Sequence, residues 1–190
     1  MVERAKPVAR PAAPGPAGKG RDIAFVGVRA QTDRLRAELE RRVAAGVDHG
    51  QFILGPEVAE LEGQLARFSG ARHALAVSNG TDALLMALMA EGIGPGDAVF
   101  VPAFTFAATA EVVVLAGATP VFVDVEEGSY NLDPAALRKK AGAVADSGTL
   151  RARAVIPVDL FGLPADYDAI AAVARDFDMF VIADAAQSFG

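Results

Sequence analysis

Between residues 31 and 45 the apolar positions Leu35, Leu39 and Val43 recur every four residues among charged neighbours, a spacing that aligns them on one stripe of a helix. A turn is predicted over 46–50. Pro56, tolerated in a first helical turn, opens a second helix whose apolar face is Val58, Leu61, Leu65 and Phe68 and which Gly70 can close. Beyond it the period changes. Short β-rich runs at 73–77, 98–101, 120–123, 154–158 and 180–183 alternate with helical segments at 82–90, 107–116, 134–145 and 165–177. Such alternation predicts right-handed crossovers and a mostly parallel sheet covered on both faces, a three-layer α/β fold. The nearly all-apolar runs VFVP, VFVD, AVIPV and FVIAD agree, because central parallel strands are buried on both sides.

Residues 1–20, MVERAKPVARPAAPGPAGKG, have no apolar period that could offset the entropy of ordering them and read as a flexible tail. Their prolines oppose the amphipathic helix of a mitochondrial-type presequence. That leaves 21–190 as one folded region, and with 52% apolar residues the chain can bury a core of that size. A formal net charge of −6 argues against nucleic acid as a partner, since phosphate backbones select basic faces. There is no cysteine, hence no disulfide or thiolate chemistry, which fits the expected cytoplasmic location. His49 and His73 are too far apart in sequence to suggest a metal cluster. No apolar run reaches the roughly 18 residues of a membrane span, so no membrane partner is expected.

In open parallel sheets ligands bind beyond the carboxyl ends of the strands, and three of those ends are chemically unusual. Ser78-Asn79-Gly80-Thr81-Asp82 follows one strand and opens a helix. Gly80 would let a ligand approach, Thr81 offers a hydroxyl, and free N–H groups at a helix start favour phosphate, although Asn or Thr could equally serve as a plain N-cap. Pro102-Ala103-Phe104-Thr105-Phe106 presents two aromatic rings, either as core or as a wall for a planar ligand. Asp184 ends the run FVIAD, where a carboxylate partly removed from water needs a partner: a helix start, Mg²⁺, or a protonated heterocyclic nitrogen.

Two common cofactor motifs are absent. Gly92-Ile93-Gly94-Pro95-Gly96 lacks the spacing of a dinucleotide fingerprint and precedes a strand, so it reads as a turn, and no Walker lysine motif occurs.

Taken in order, HGQFILGPEVAELE, SNGTDAL, GIGPGDAVFVPAFTFAATAEVV, GATPVFVDV, NLDP, AVIPVDLFGLPADYDAI and ADAAQSFG resemble the sugar-nucleotide aminotransferases of the DegT/DnrJ/EryC1/StrS family. The resemblance implies the large domain of a fold-type-I pyridoxal 5′-phosphate (PLP) enzyme, a homodimer with active sites at the subunit interface. It implies that Gly80 and Thr81 bind the cofactor phosphate, Phe106 stacks on the pyridine ring, Asp184 pairs with the ring nitrogen and Gln187 lies near the phenolic oxygen. Gly50 and Phe52, in HGQF, match a stretch that contributes to the nucleotide-sugar site, with Phe52 where many members carry tyrosine. The implied reaction moves an amino group from an amino acid such as glutamate to a nucleotide-linked keto sugar for polysaccharide synthesis. The motif pattern is most similar to the branch acting on UDP-linked 3-keto-2-acetamido sugar acids. Family members carry their Schiff-base lysine after the DAAQ segment, so it is expected beyond Gly190, and the 190 residues read as an N-terminal piece inactive alone. Lys6 and Lys19 fall in the tail, and Lys139 and Lys140 on a polar helix. Two alternatives stay open: a sugar dehydratase of the same fold, with histidine for that lysine, and a non-catalytic small-molecule binder.

Overall fold

The computed structural model describes residues 27–189; the 1–20 segment read as a tail lies outside them. They fall into two compact units divided between His73 and Ala74.

The first unit holds helices α1 (Val28–His49) and α2 (Pro56–Ser69), stopped by Gly50 and Gly70 in left-handed conformations. The turn expected over 46–50 is instead the last turn of α1, where the Gly50 N–H donates to the Gly46 carbonyl at 3.0 Å. A glycine inside a helix costs only ~1 kcal/mol, so Gly46 does not end it, whereas Gly50 can adopt the stop conformation. An Arg42–Glu60 ion pair ties the helices together. His49 accepts the Gln51 N–H at Nδ1, 3.0 Å, which leaves Nε2–H to donate to Glu57, also 3.0 Å. At Gly55 a Cβ would sit 2.2 Å from the Gln51 carbonyl oxygen, so the loop admits only glycine there. The Leu35, Leu39 and Val43 stripe is exposed, and no residue of α1 is buried.

The second unit is α3 (Gly80–Ala90), β1 (Asp97–Pro102), α4 (Ala108–Leu115), β2 (Thr119–Val123), α5 (Pro134–Ser147), β3 (Arg151–Val155), α6 (Tyr167–Asp176) and β4 (Phe180–Val181). Its sheet is all parallel, in the order β2-β1-β3-β4. Ala98 and Phe100 of β1, with Val123 and Val155, pack against α5 and α6 through Leu137, Ala141, Ile170 and Val173. The alternate residues Val99 and Val101, with Ala154 and Ile156, pack against α3 and α4 through Leu84, Leu88, Val112 and Val113. The two-residue alternation of a strand thus divides one apolar run between two cores. From β1 the chain winds one way to β2 over the α4 face and back to β3 over the α5 face, so both crossovers share a hand. The β1/β3 boundary is the switch point.

Two expected strands differ. Residues 73–77 form no strand, with Leu75 81% exposed, because a β-rich run supplies no ladder partner by itself. The strands expected at 154–158 and 180–183 stop at Val155 and Val181 and resume only as a single Val158–Asp184 bridge. Pro157, which has no N–H, interrupts the ladder there. Among the described residues no helix is long and apolar enough to cross a membrane.

At the amino ends of β1 and β3, buried Asp97 accepts the Gly94 N–H at 3.0 Å and pairs with Arg151 at 2.8 Å. Burial pushes the Asp97 carboxyl up, but Arg151 and the Gly94 N–H outweigh it and hold it below the usual range. A depressed carboxyl stabilises the fold above its unfolded pKa and loses that contribution as pH falls through its folded value. Asp97→Asn is therefore expected to cost about 1–3 kcal/mol at neutral pH. Its deficit should shrink below about pH 4, measured by denaturant unfolding of both proteins across pH.

Candidate functional site

The carboxyl edge of the sheet carries a cavity of about 250 Å³ lined by Gly80, Thr81, Leu84, Thr105, Phe106, Ala108, Val158, Leu160, Asp184, Ala186 and Gln187. Five residues singled out in the sequence, Gly80, Thr81, Phe106, Asp184 and Gln187, therefore meet in one place. Gly50, the left-handed stop of α1, and Phe52, 74% exposed, belong to the first unit.

Asn79 caps α3: its side-chain oxygen accepts the Asp82 N–H at 2.9 Å and its carbonyl accepts the Ala83 N–H at 3.1 Å. The capping reading of SNGTD is thus correct for Asn79, and compatible with a ligand, because the cap does not use the N–H groups of Gly80 and Thr81. A Cβ at Gly80 would meet nothing within 4 Å. Asp82, bonded by Ser78 and by Asn79 at 2.9 Å, already brings negative charge to this helix start. A phosphate here would be held by N–H groups and the Thr81 hydroxyl, not by net charge.

The aromatic pair after β1 is not core. Phe106 is 74% exposed on the cavity wall, while Phe104 joins Tyr130 and Phe161 in a separate ring cluster at centroid distances of 5.7 and 6.5 Å. Asp184 is half-buried and is not a helix cap. Its Oδ1 accepts the Ala186 N–H at 3.2 Å, and the Thr109 hydroxyl lies 3.5 Å from Oδ2 and 3.1 Å from that of Thr105. Among the described residues no group of three or more His, Asp or Glu could hold a metal. Gln187 accepts the Phe161 N–H at 2.6 Å through Oε1, which leaves its amide N–H₂ unspent.

Sequence reasoning missed Thr105 and Thr109, which sit among apolar neighbours without a local signal. It also missed Asp159, just past β3, which accepts Ser188 Oγ at 2.6 Å, Tyr167 Oη at 2.7 Å and the Ala165 N–H at 3.0 Å. Burial pushes this carboxyl up, yet the three donors hold it below the usual range; burial and Asp159 in turn push the Tyr167 hydroxyl up. A carboxylate ending an apolar run, the feature that marked Asp184, could have found it. Lys139 and Lys140, the two lysines among the described residues, are exposed on α5 and line a different groove with Asp124, Ala136 and Ala143.

The sequence matches the DegT/DnrJ/EryC1/StrS aminotransferase family over residues 33–190. It is 48% identical over 168 residues to the UDP-2-acetamido-2-deoxy-3-oxo-D-glucuronate aminotransferase of Pseudomonas aeruginosa, an alignment covering 88% of this chain and 45% of that protein. The fold superposes on a DegT DnrJ EryC1 StrS aminotransferase from Brucella abortus with a TM-score of 0.86 at 51% identity, covering 88% of this chain and 45% of that one. It also superposes on NtdA of Bacillus subtilis with bound cofactor PMP, with a TM-score of 0.78 at 28% identity, covering 91% and 39%. The chain spans less than half the length of each of these proteins.

Because a Cβ at Gly80 enters open space, Gly80→Ala should leave stability unchanged or raise it by up to ~1 kcal/mol. Set beside the Gly80 and Thr81 N–H groups, the added methyl should weaken binding of a phosphate ester. Denaturant unfolding and calorimetric titration with PLP check the two halves separately.

Proposed function

Because the chain belongs to the DegT/DnrJ/EryC1/StrS aminotransferase family, we propose that its cavity holds PLP and serves transfer of an amino group from an amino acid, glutamate by expectation, to a nucleotide-linked keto sugar. One observation carries the reading: Gly80, Thr81, Phe106, Asp184 and Gln187, from three separate stretches of sequence, line one cavity at the switch point of the sheet. The donor set fits the cofactor. Gly80 and Thr81 offer N–H groups and a hydroxyl to a phosphate, Phe106 an aromatic face to a planar ring, and Asp184 a carboxylate to a protonated ring nitrogen.

When bound, PLP supplies the electron sink for the carbanion through which an amino group is transferred. Asp184 would hold a proton at the ring nitrogen by a charge-assisted hydrogen bond, about twice as strong as a neutral one. Thr109 and the Ala186 N–H orient that carboxylate. Gln187, its oxygen already occupied by the Phe161 N–H, would turn its N–H₂ toward the phenolic oxygen. Buried Leu84, Val158 and Leu160 on the cavity walls exclude water, which strengthens each of these interactions.

The likeness to the Pseudomonas aeruginosa enzyme supports a UDP-3-keto-2-acetamido sugar acid as substrate. Gly50 and Phe52 are the proposed contribution to the nucleotide-sugar site, in a cytoplasmic homodimer.

In the active enzyme Asp184→Asn should fold normally but lose amino transfer on the order of a hundredfold or more, since a neutral amide no longer favours the protonated ring. Single-turnover rates and cofactor retention are the measurements; near-normal values for both would reduce Asp184 to a turn residue. Because neither lysine of the described residues lines the cavity, borohydride treatment of the 190-residue chain with PLP should give only slow labelling scattered over its four lysines. Stoichiometric reduction onto one lysine, with turnover of a keto sugar, would refute that expectation.

A further inference from the structure

We propose that Asp159 is a positioning residue for the cavity: through Ser188 it fixes the segment 184–188 that presents Asp184 and Gln187. Residues 185–187 are exposed and Asp184 and Ser188 only half-buried, so apolar packing does little to hold this segment. What holds it to the 157–161 stretch is a set of four hydrogen bonds. The Asp184 N–H donates to the Pro157 carbonyl at 2.9 Å, and the Asp159 N–H to the Asp184 carbonyl at 3.0 Å. The Phe161 N–H donates to Gln187 Oε1 at 2.6 Å and Ser188 Oγ to Asp159 Oδ2 at 2.6 Å. The first two fix only Asp184; the position of residues 185–188 depends on the other two. The backbone passes close by, since a Cβ at Gly162, itself at φ 84°, would lie 3.1 Å from the Gln187 carbonyl oxygen.

Asp159 could instead serve only the start of α6, but that helix has its own cap: Asp166 accepts the Ala169 N–H at 3.0 Å. The two carboxylate oxygens of Asp159 divide the work. Oδ1 takes Tyr167 and the Ala165 N–H, which anchors the carboxylate to the body of the unit, and Oδ2 takes Ser188 alone. A buried, ionised acceptor gives the strongest kind of hydrogen bond that a serine hydroxyl can make, and here it is spent on the segment beside the cavity.

The effect on the cofactor rests on the PLP reading; the tie itself does not, and the experiment separates them. Asp159→Ala would also strand Tyr167 and the Ala165 N–H, so the cleaner variant is Ser188→Ala, with Ser188→Thr keeping the hydroxyl. Hydrogen exchange is followed in the unliganded chain at the amides of Ala186 and residue 188, which are bonded to Asp184 and Ala185. In Ser188→Ala both should exchange about tenfold faster, with the amides of Ala169 and Ile170 in α6 and the unfolding midpoint unchanged. Affinity for pyridoxamine 5′-phosphate should fall by a similar factor, and Ser188→Thr should restore both. Unchanged exchange at 186 and 188 in Ser188→Ala overturns the proposal, as does faster exchange with undiminished affinity. A wild-type chain that does not bind pyridoxamine 5′-phosphate overturns the cofactor reading instead, and exchange alone then decides the tie.

Discussion

Strand β1 is buried along all six of its residues, paired on both edges and covered on both faces. Backbone placed so far from water must satisfy every N–H and C=O within the protein, which requires β2 and β3 to flank it in parallel. Its alternating side chains must likewise meet an apolar surface on each side, which α3 and α4 supply on one face and α5 and α6 on the other. The connections that meet both demands diverge at the carboxyl end of β1. The crevice opened there is a by-product of packing, and the candidate site occupies it.

Two carboxylates follow adjacent strands at that edge and have opposite environments. Asp159 is buried and accepts three hydrogen bonds, so its charge is spent on holding structure. Asp184 is half-buried, takes one backbone N–H and a long contact from Thr109, and faces the cavity with acceptor capacity to spare. A buried anion completely bonded by its own chain is a fastener, whereas a carboxylate incompletely bonded beside a cavity is left available to accept further hydrogen bonds.

Much of the fold was legible because burial writes itself into composition. The runs VFVP and AVIPV read as central parallel strands, as β1 and the start of the second run in β3 are, and the helices between them start and stop at signals such as Pro134, Gly148 and Asn79. Where local pattern and pairing disagree, pairing decides. Residues 73–77 read as a β-rich run yet form no strand, and Pro157 interrupts the ladder that the apolar run on either side of it would continue. In the first unit the period-four stripe of α1 marked a helix correctly but not a buried face.

At the site, the sequence by itself determined which groups stand at a helix start or past an apolar run: Gly80 and Thr81 at the start of α3, Phe106 and Asp184 past apolar runs, Gln187 three residues on. Helix-start chemistry marks Gly80 and Thr81, and a carboxylate ending an apolar run marks Asp184, by local contrast, whereas Phe106 and Gln187 take their roles from the resemblance of the motifs. Only the tertiary structure decided which of them share a cavity, that Phe104 turns to Tyr130 and Phe161 while Phe106 lines the wall, and that Asp159 grips Ser188 while Asp184 stays available. Those choices depend on strand order and on hydrogen bonds between residues 26 and more positions apart, and no local pattern encodes a partner so distant.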